Sequence, residues 1–213
     1  MIWRIADERG FTLTELLVAV AMLGVIMAGV MTFIWSGQHS YSMGAGKIEA
    51  QQNMRVAFDL MIREIRDAGN DPSKAGFPAI VSTGGAGMPT AVAFRIQNDW
   101  NGNGIIEPAV TTNVGGVLHG EQIDYTIVGN LLQRREWGID NAPQTLVTGL
   151  DFTGIVTPAF QYQDSNAAPA ANANAIATVL ITLQTRPVVL AGTTATTGLM
   201  RYRADDMARI RNR

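Results

Sequence analysis

The sequence of 213 residues predicts an α+β protein in which a long N-terminal helix packs on an antiparallel β-sheet. Three observations support this prediction. Residues 16–35 form an uncharged apolar run, residues 48–69 follow a helical apolar period, and strand-like alternation begins near residue 90. We therefore expect a helix that spans a membrane in its first half, is amphipathic in its second half, and carries a β-rich head.

The apolar run is long enough to cross a bilayer. Its 20 residues, 16–35, contain no charged side chain. At ~1.5 Å per helical residue such a run spans about 30 Å, the thickness of a bilayer core. Glu15 lies directly before it, and a carboxylate deep in lipid costs roughly 2.5 kcal/mol or more. The sequence therefore predicts a compensating partner for Glu15.

One partner for Glu15 is the helix itself. The tetrapeptide "TLTE" (residues 12–15) fits a capping box, in which Thr12 and Glu15 each accept a hydrogen bond from the other's backbone N–H. The carboxylate would also lie at the positive end of the helix dipole. Helix chemistry alone can thus explain this glutamate.

The segment around Glu15 also resembles a processing signal. A polar leader, "MIWRIADERG", ends in Gly10, and "GFTLTELLVAVAML" follows from that glycine. This stretch resembles the processing signature of the type IV prepilin family. The resemblance implies cleavage between Gly10 and Phe11 by a prepilin peptidase and N-methylation of Phe11. It also implies pairing of Glu15 with the terminal amine of a neighbouring subunit, which is compatible with capping.

Other classes of protein fit less well. An ordinary secretory signal has an apolar region of roughly 7 to 15 residues and a small-residue cleavage site. Here the run is longer and no such site follows. The chain has no cysteine, and no nucleophile motif occurs, so we expect no enzyme activity. A signal-anchored extracytoplasmic enzyme remains the alternative from a different class.

The second half of the helix sharpens the resemblance. Residues 37–46 continue the helix, and the segment 53–72, "NMRVAFDLMIREIRDAGNDP", places an apolar stripe on one face before Gly69 ends it. This segment resembles the helix end of PilW-type minor pilins and of GspJ-type pseudopilins. The implied organisation is a leader (1–10), a transmembrane and filament-core helix (11–36), an amphipathic continuation (37–69) and a β-rich head (70–213).

The resemblance also implies a function and a location. It predicts a minor pilin that helps to initiate or cap a type IV pilus, with a minor pseudopilin of type II secretion as the alternative. The implied partners are prepilin peptidase, other major and minor pilins, the inner-membrane assembly platform and the membrane itself. The protein would cross the bacterial inner membrane once and then enter a pilus at the cell surface, or remain in the periplasm.

Alternation predicts the strands of the head. The segment 122–137 reads as a hairpin that turns at Gly129 and Asn130. Residues 165–175 read as a loop. Further strands are predicted at residues 90–97, 145–155, 159–163 and 176–187.

The segment "DWNGNGIIE" (99–107) has the spacing of a calcium loop. Gly104 falls at the sixth position, where such loops turn, but Val110 replaces the bidentate glutamate of the twelfth. An Asn/Gly-rich turn without an ion explains the same residues, so both interpretations stay open. No other cofactor is expected. The candidate ligands are Asp99, Asn101, Asn103, Ile105 and Glu107.

The C-terminal segment 201–213, "RYRADDMARIRNR", carries five arginines. Such a cluster can contact phosphates. Asp205 and Asp206 interrupt it, however, and Tyr202 is its only aromatic residue. We therefore expect a structural role and no nucleic-acid binding. A DNA- or surface-adhesion module at a pilus tip is the remaining alternative.

Overall fold

The computed structural model describes residues 11–85, 87–152, 158–185 and 202–211. Within these ranges the chain forms one α-helix, ten strands and one 3₁₀ turn. It divides into two compact units, Met1–Ala45 and Gly46–Arg213. The helix, α1, covers the 55 residues Leu13–Asp67. Its first part belongs to the first unit and its second part to the second unit.

The first unit contains the apolar half of α1. Every residue from 11 to 38 is exposed. By length and composition this helix can cross a membrane. Large apolar side chains exposed along a whole helix require a non-aqueous or protein environment.

The second unit begins with the amphipathic half of α1. Its predicted apolar stripe is confirmed, because Met54, Phe58, Met61 and Ile65 are buried on one face. The helix ends two residues before Gly69, which adopts a positive φ of 75° and donates its N–H to the carbonyl of Gln97 at 2.9 Å. A glycine is favoured in this left-handed conformation.

The strands form three antiparallel sheets. One sheet has the order β1-β2-β5-β6-β7, a second has the order β10-β9-β8, and β3 pairs with β4. In chain order the strands are β1 (Ile80–Val81), β2 (Ala93–Gln97), β3 (Thr111–Val114), β4 (Val117–Gly120), β5 (Gln122–Val128), β6 (Leu131–Glu136), β7 (Gln144–Val147), β8 (Phe160–Gln163), β9 (Thr178–Thr185) and β10 (Tyr202–Arg209), with the 3₁₀ turn at Ala173–Ala175 before β9.

One core unites the amphipathic half of α1 with the two larger sheets. Phe94 of β2 stacks on Tyr125 of β5, with ring centroids 5.2 Å apart. The same ring meets Phe160 of β8 edge-on at 4.9 Å. Aromatic pairs in these geometries add to the stabilisation from buried area.

The predicted α+β class is confirmed, and the long apolar helix with its antiparallel sheets is consistent with a pilin-like fold. The hairpin of β5 and β6 turns at Gly129 as predicted, with φ of 60°. The arrangement differs from the expected single sheet because the strands are divided among three sheets. Part of the strand predicted at 145–155 and the end of that at 176–187 lie outside the described residues.

Candidate functional site

The start of α1 is closed by a reciprocal pair of hydrogen bonds. The backbone N–H of Thr12 donates to Glu15 Oε2 at 3.1 Å, and the backbone N–H of Glu15 donates to Thr12 Oγ1 at 3.3 Å. The Thr12 hydroxyl also donates to Glu15 Oε2 at 3.0 Å. This is the predicted capping box.

The capping box leaves half of the carboxylate available. In the described part of the chain, Glu15 Oε1 accepts no hydrogen bond, and the side chain is exposed. Both partners of the box lie after the bond between Gly10 and Phe11, so cleavage there would leave it intact. Glu15 can therefore cap the helix and bind a second group at the same time.

The sequence around this helix start matches a known motif. Residues 5–31 match the prokaryotic N-terminal methylation motif. The motif indicates a protein of the type IV pilin or pseudopilin class. No curated protein and no solved structure matches the chain. The pilin class is structural rather than enzymatic, and its motif implies processing by prepilin peptidase and membrane association through the N-terminal helix.

Of the two residues at the predicted cleavage site, the structure describes only Phe11. Gly10 lies outside the described residues. Phe11 is the first described residue and is 87% exposed. Cleavage and methylation at this position therefore stay predictions.

The 99–107 loop is built around the carboxylate of Asp99, which is fully buried. Its Oδ1 accepts the N–H of Gly102 at 2.6 Å and that of Asn103 at 3.2 Å. Its Oδ2 accepts the N–H of Gly104 at 2.8 Å and the hydroxyl of Ser73 at 3.1 Å. These bonds tie the carboxylate to the backbone of its own loop, which is what the turn interpretation requires.

The other predicted ligands also take part in bonds within the loop. Asn101 Oδ1 accepts the N–H of Asn103, and Asn103 Oδ1 accepts the N–H of Ile105, both at 2.8 Å. The amide nitrogen of Asn103 donates to Glu107 Oε2 at 2.8 Å. Among the described residues, no group of three or more His, Asp or Glu side chains is arranged to hold a metal ion. The calcium interpretation stays a prediction.

Sequence reasoning missed Glu121, which lies between β4 and β5. Its Oε2 accepts the backbone N–H of Glu107 at 2.9 Å, and the residue is fully buried. Burial raises the pKa of its carboxyl, and the negative charges of Asp99 and Glu107 raise it further, against the lowering effect of backbone N–H groups. No short motif signals a contact between residues so far apart in sequence.

Sequence reasoning also missed a partly buried polar network that joins α1 to the five-stranded sheet. Glu64 of α1 accepts the hydroxyl of Tyr125 at 2.6 Å and Nη2 of Arg134 at 2.7 Å. The same Nη2 lies 2.6 Å from Glu136 Oε2. Burial and the carboxylate of Glu64 raise the pKa of Tyr125, so its hydroxyl stays protonated and donates.

The arginine-rich C-terminal segment contributes to a sheet. Residues 202–209 form β10, which pairs with β9 along its whole length. Arg203 lies 3.0 Å from the carboxylate of Asp205 in an exposed ion pair. Ala208 and Ile210 are buried in the core. These contacts agree with the predicted structural role of the segment.

Proposed function

We propose that this chain is a minor pilin subunit of a type IV pilus that helps to initiate or cap assembly. The observation that carries the proposal is Glu15, an exposed carboxylate with one open oxygen at the start of a helix whose following run is uncharged. Such a group in lipid is costly unless a positive charge compensates it. Cleavage before Phe11 would create an ammonium group four residues away, within the same apolar zone of each subunit.

The proposed sequence of events follows from this chemistry. Prepilin peptidase removes residues 1–10 and methylates Phe11 while the helix spans the inner membrane once. Residues 11–36 then leave the bilayer for a filament core, where Glu15 of one subunit pairs with the amine of another. Residues 37–69 and the head from 70 to 213 lie outside this core. Other major and minor pilins and the inner-membrane assembly platform are the partners.

The competing proposal is a minor pseudopilin of type II secretion. It rests on the segment 53–72, which resembles the helix ends of both kinds of protein. Pairing of Glu15 with a neighbouring amine would operate in either assembly. The two proposals therefore differ in the system served rather than in the chemistry.

A deletion strain separates the two proposals. Loss of a minor pilin should reduce the number of sheared surface filaments severalfold and leave protein secretion unchanged. Complementation with the intact gene should restore filaments and place the protein in the sheared fraction. A secretion defect with normal filament number would instead support the pseudopilin proposal.

A further inference from the structure

The 99–107 loop lacks one ligand of a calcium loop, and the structure places a carboxylate beside it. Val110 occupies the twelfth position, where a bidentate glutamate completes such loops. Glu121 is held against the loop by the N–H of Glu107 at 2.9 Å. Its second oxygen, Oε1, is buried and accepts no hydrogen bond of normal geometry in the described part of the chain, and the backbone N–H of Asn101 in the loop also lowers the pKa of this carboxyl.

Two fully buried carboxylates are left without a positive partner at this place. Asp99 and Glu121 are both fully buried. In the ranges that the structure describes, no lysine, arginine or histidine forms a hydrogen bond or an ion pair with either of them. Burial of like charges is costly, and a bound cation compensates them directly.

Asp99 also retains room for a further ligand. The N–H of Asn103 is shared, because it lies 3.2 Å from Asp99 Oδ1 but only 2.8 Å from Asn101 Oδ1. The single hydroxyl proton of Ser73 is likewise divided between Asp71 Oδ1 at 2.8 Å and Asp99 Oδ2 at 3.1 Å. Each oxygen of Asp99 therefore has one weakly held lone-pair direction.

We propose that residues 99–107 and Glu121 form a binding site for one divalent cation of the calcium type. Glu121 supplies the carboxylate that the twelfth position of the loop lacks. Carboxylate, amide and carbonyl oxygens are the ligands that calcium prefers. This inference is independent of the proposed function in assembly. The other ligands are Asp99, the amide oxygens of Asn101 and Asn103, and the carbonyl of Ile105.

Terbium(III), which replaces calcium at oxygen sites, provides the test. Trp100 lies inside the loop and serves as the light-absorbing donor. The full chain in detergent should show indole-sensitised terbium emission that calcium displaces at ~10⁻⁴–10⁻³ M, the range of extracellular calcium modules. Glu121→Gln should raise the calcium dissociation constant by about tenfold or more. Trp100→Phe should abolish the emission, whereas calcium should still raise the melting temperature of this variant by binding its folded state.

Asp164→Asn is the matched control. Asp164 is a half-buried loop aspartate that accepts the N–H groups of Asn166 and Ala168, and its substitution should leave the emission unchanged. A melting curve in chelator shows whether Glu121→Gln is folded, and Asn101→Ala gives a second variant that should weaken binding. The proposal is overturned if calcium does not displace the emission, or if Glu121→Gln binds calcium as tightly as the unaltered chain.

Discussion

The N–H of Thr12 donates to Glu15 Oε2 at 3.1 Å, while Glu15 Oε1 lies open to a second partner. The two roles of this glutamate can therefore be separated by a substitution that keeps one of them. Glutamine preserves the hydrogen bonds of a capping box but carries no negative charge. The effect of the charge on assembly can then be measured alone.

Glu15→Gln should leave the fold and processing intact but impair incorporation into filaments. We expect incorporation to fall by about tenfold or more, which corresponds to a loss of about 1.4 kcal/mol of pairing free energy. Immunoblots of sheared filaments and of membranes measure the two pools. Glu49→Gln, an exposed glutamate of the same helix beyond the apolar run, is the control and should assemble normally. Equal incorporation of both variants would leave capping as the only role of Glu15.

Tyr125→Phe tests the network that holds α1 on the sheet. The lost hydrogen bond, 2.6 Å from Tyr125 to Glu64, ends on a carboxylate and should cost about 1.5–3 kcal/mol of unfolding free energy. Tyr162→Phe is the matched control, because its hydroxyl donates to the carbonyl of Thr90 at 2.7 Å and should cost only about 0.5–1.5 kcal/mol. Urea unfolding of the full chain in detergent compares the two. A larger loss for Tyr162→Phe would contradict this ranking.

Asp71 should make stability depend on acid pH. Its carboxylate accepts the N–H of Gly76 at 2.8 Å, which lowers its pKa below the ordinary 3.8, and the hydroxyl of Ser73 and the N–H of Ala75 contribute in the same direction. A lowered folded pKa gives stability that is present above the unfolded pKa and is lost as the pH falls through the folded pKa. In chelator, the melting temperature of the unaltered chain should therefore approach that of Asp71→Asn below pH 3.8. Parallel curves for the two proteins across this range would contradict the assignment.

The sequence predicted those elements whose periodicity is long and regular. The apolar run of residues 16–35 and the stripe that includes Met54 and Met61 follow one helical period, and β5 and β6 flank a recognisable Gly129 turn. The hairpin of β3 and β4 escaped prediction because "TTNV" and "VLHG" are short and mostly exposed, so no buried face imposes alternation.

Among the candidate sites, too, the local contacts were predictable from the sequence and the long-range contacts were not. The capping box lies within one helical turn, so residues three apart were enough to predict it. Glu121 meets the 99–107 loop, and Tyr125 meets Glu64, only because the sheet folds against distant segments. Such contacts depend on strand order and register, which local patterns do not encode.

The most direct test of the proposed pilin function is the mass of the N-terminal peptide. The protein is extracted from membranes of a strain with active prepilin peptidase. Proteolysis and tandem mass spectrometry should show a chain that begins with N-methylated Phe11. A strain without the peptidase is the control and should retain the leader through Gly10. An intact Met1 terminus in the active strain, or a terminus at any residue other than Phe11, would contradict the proposed processing and with it the proposed function.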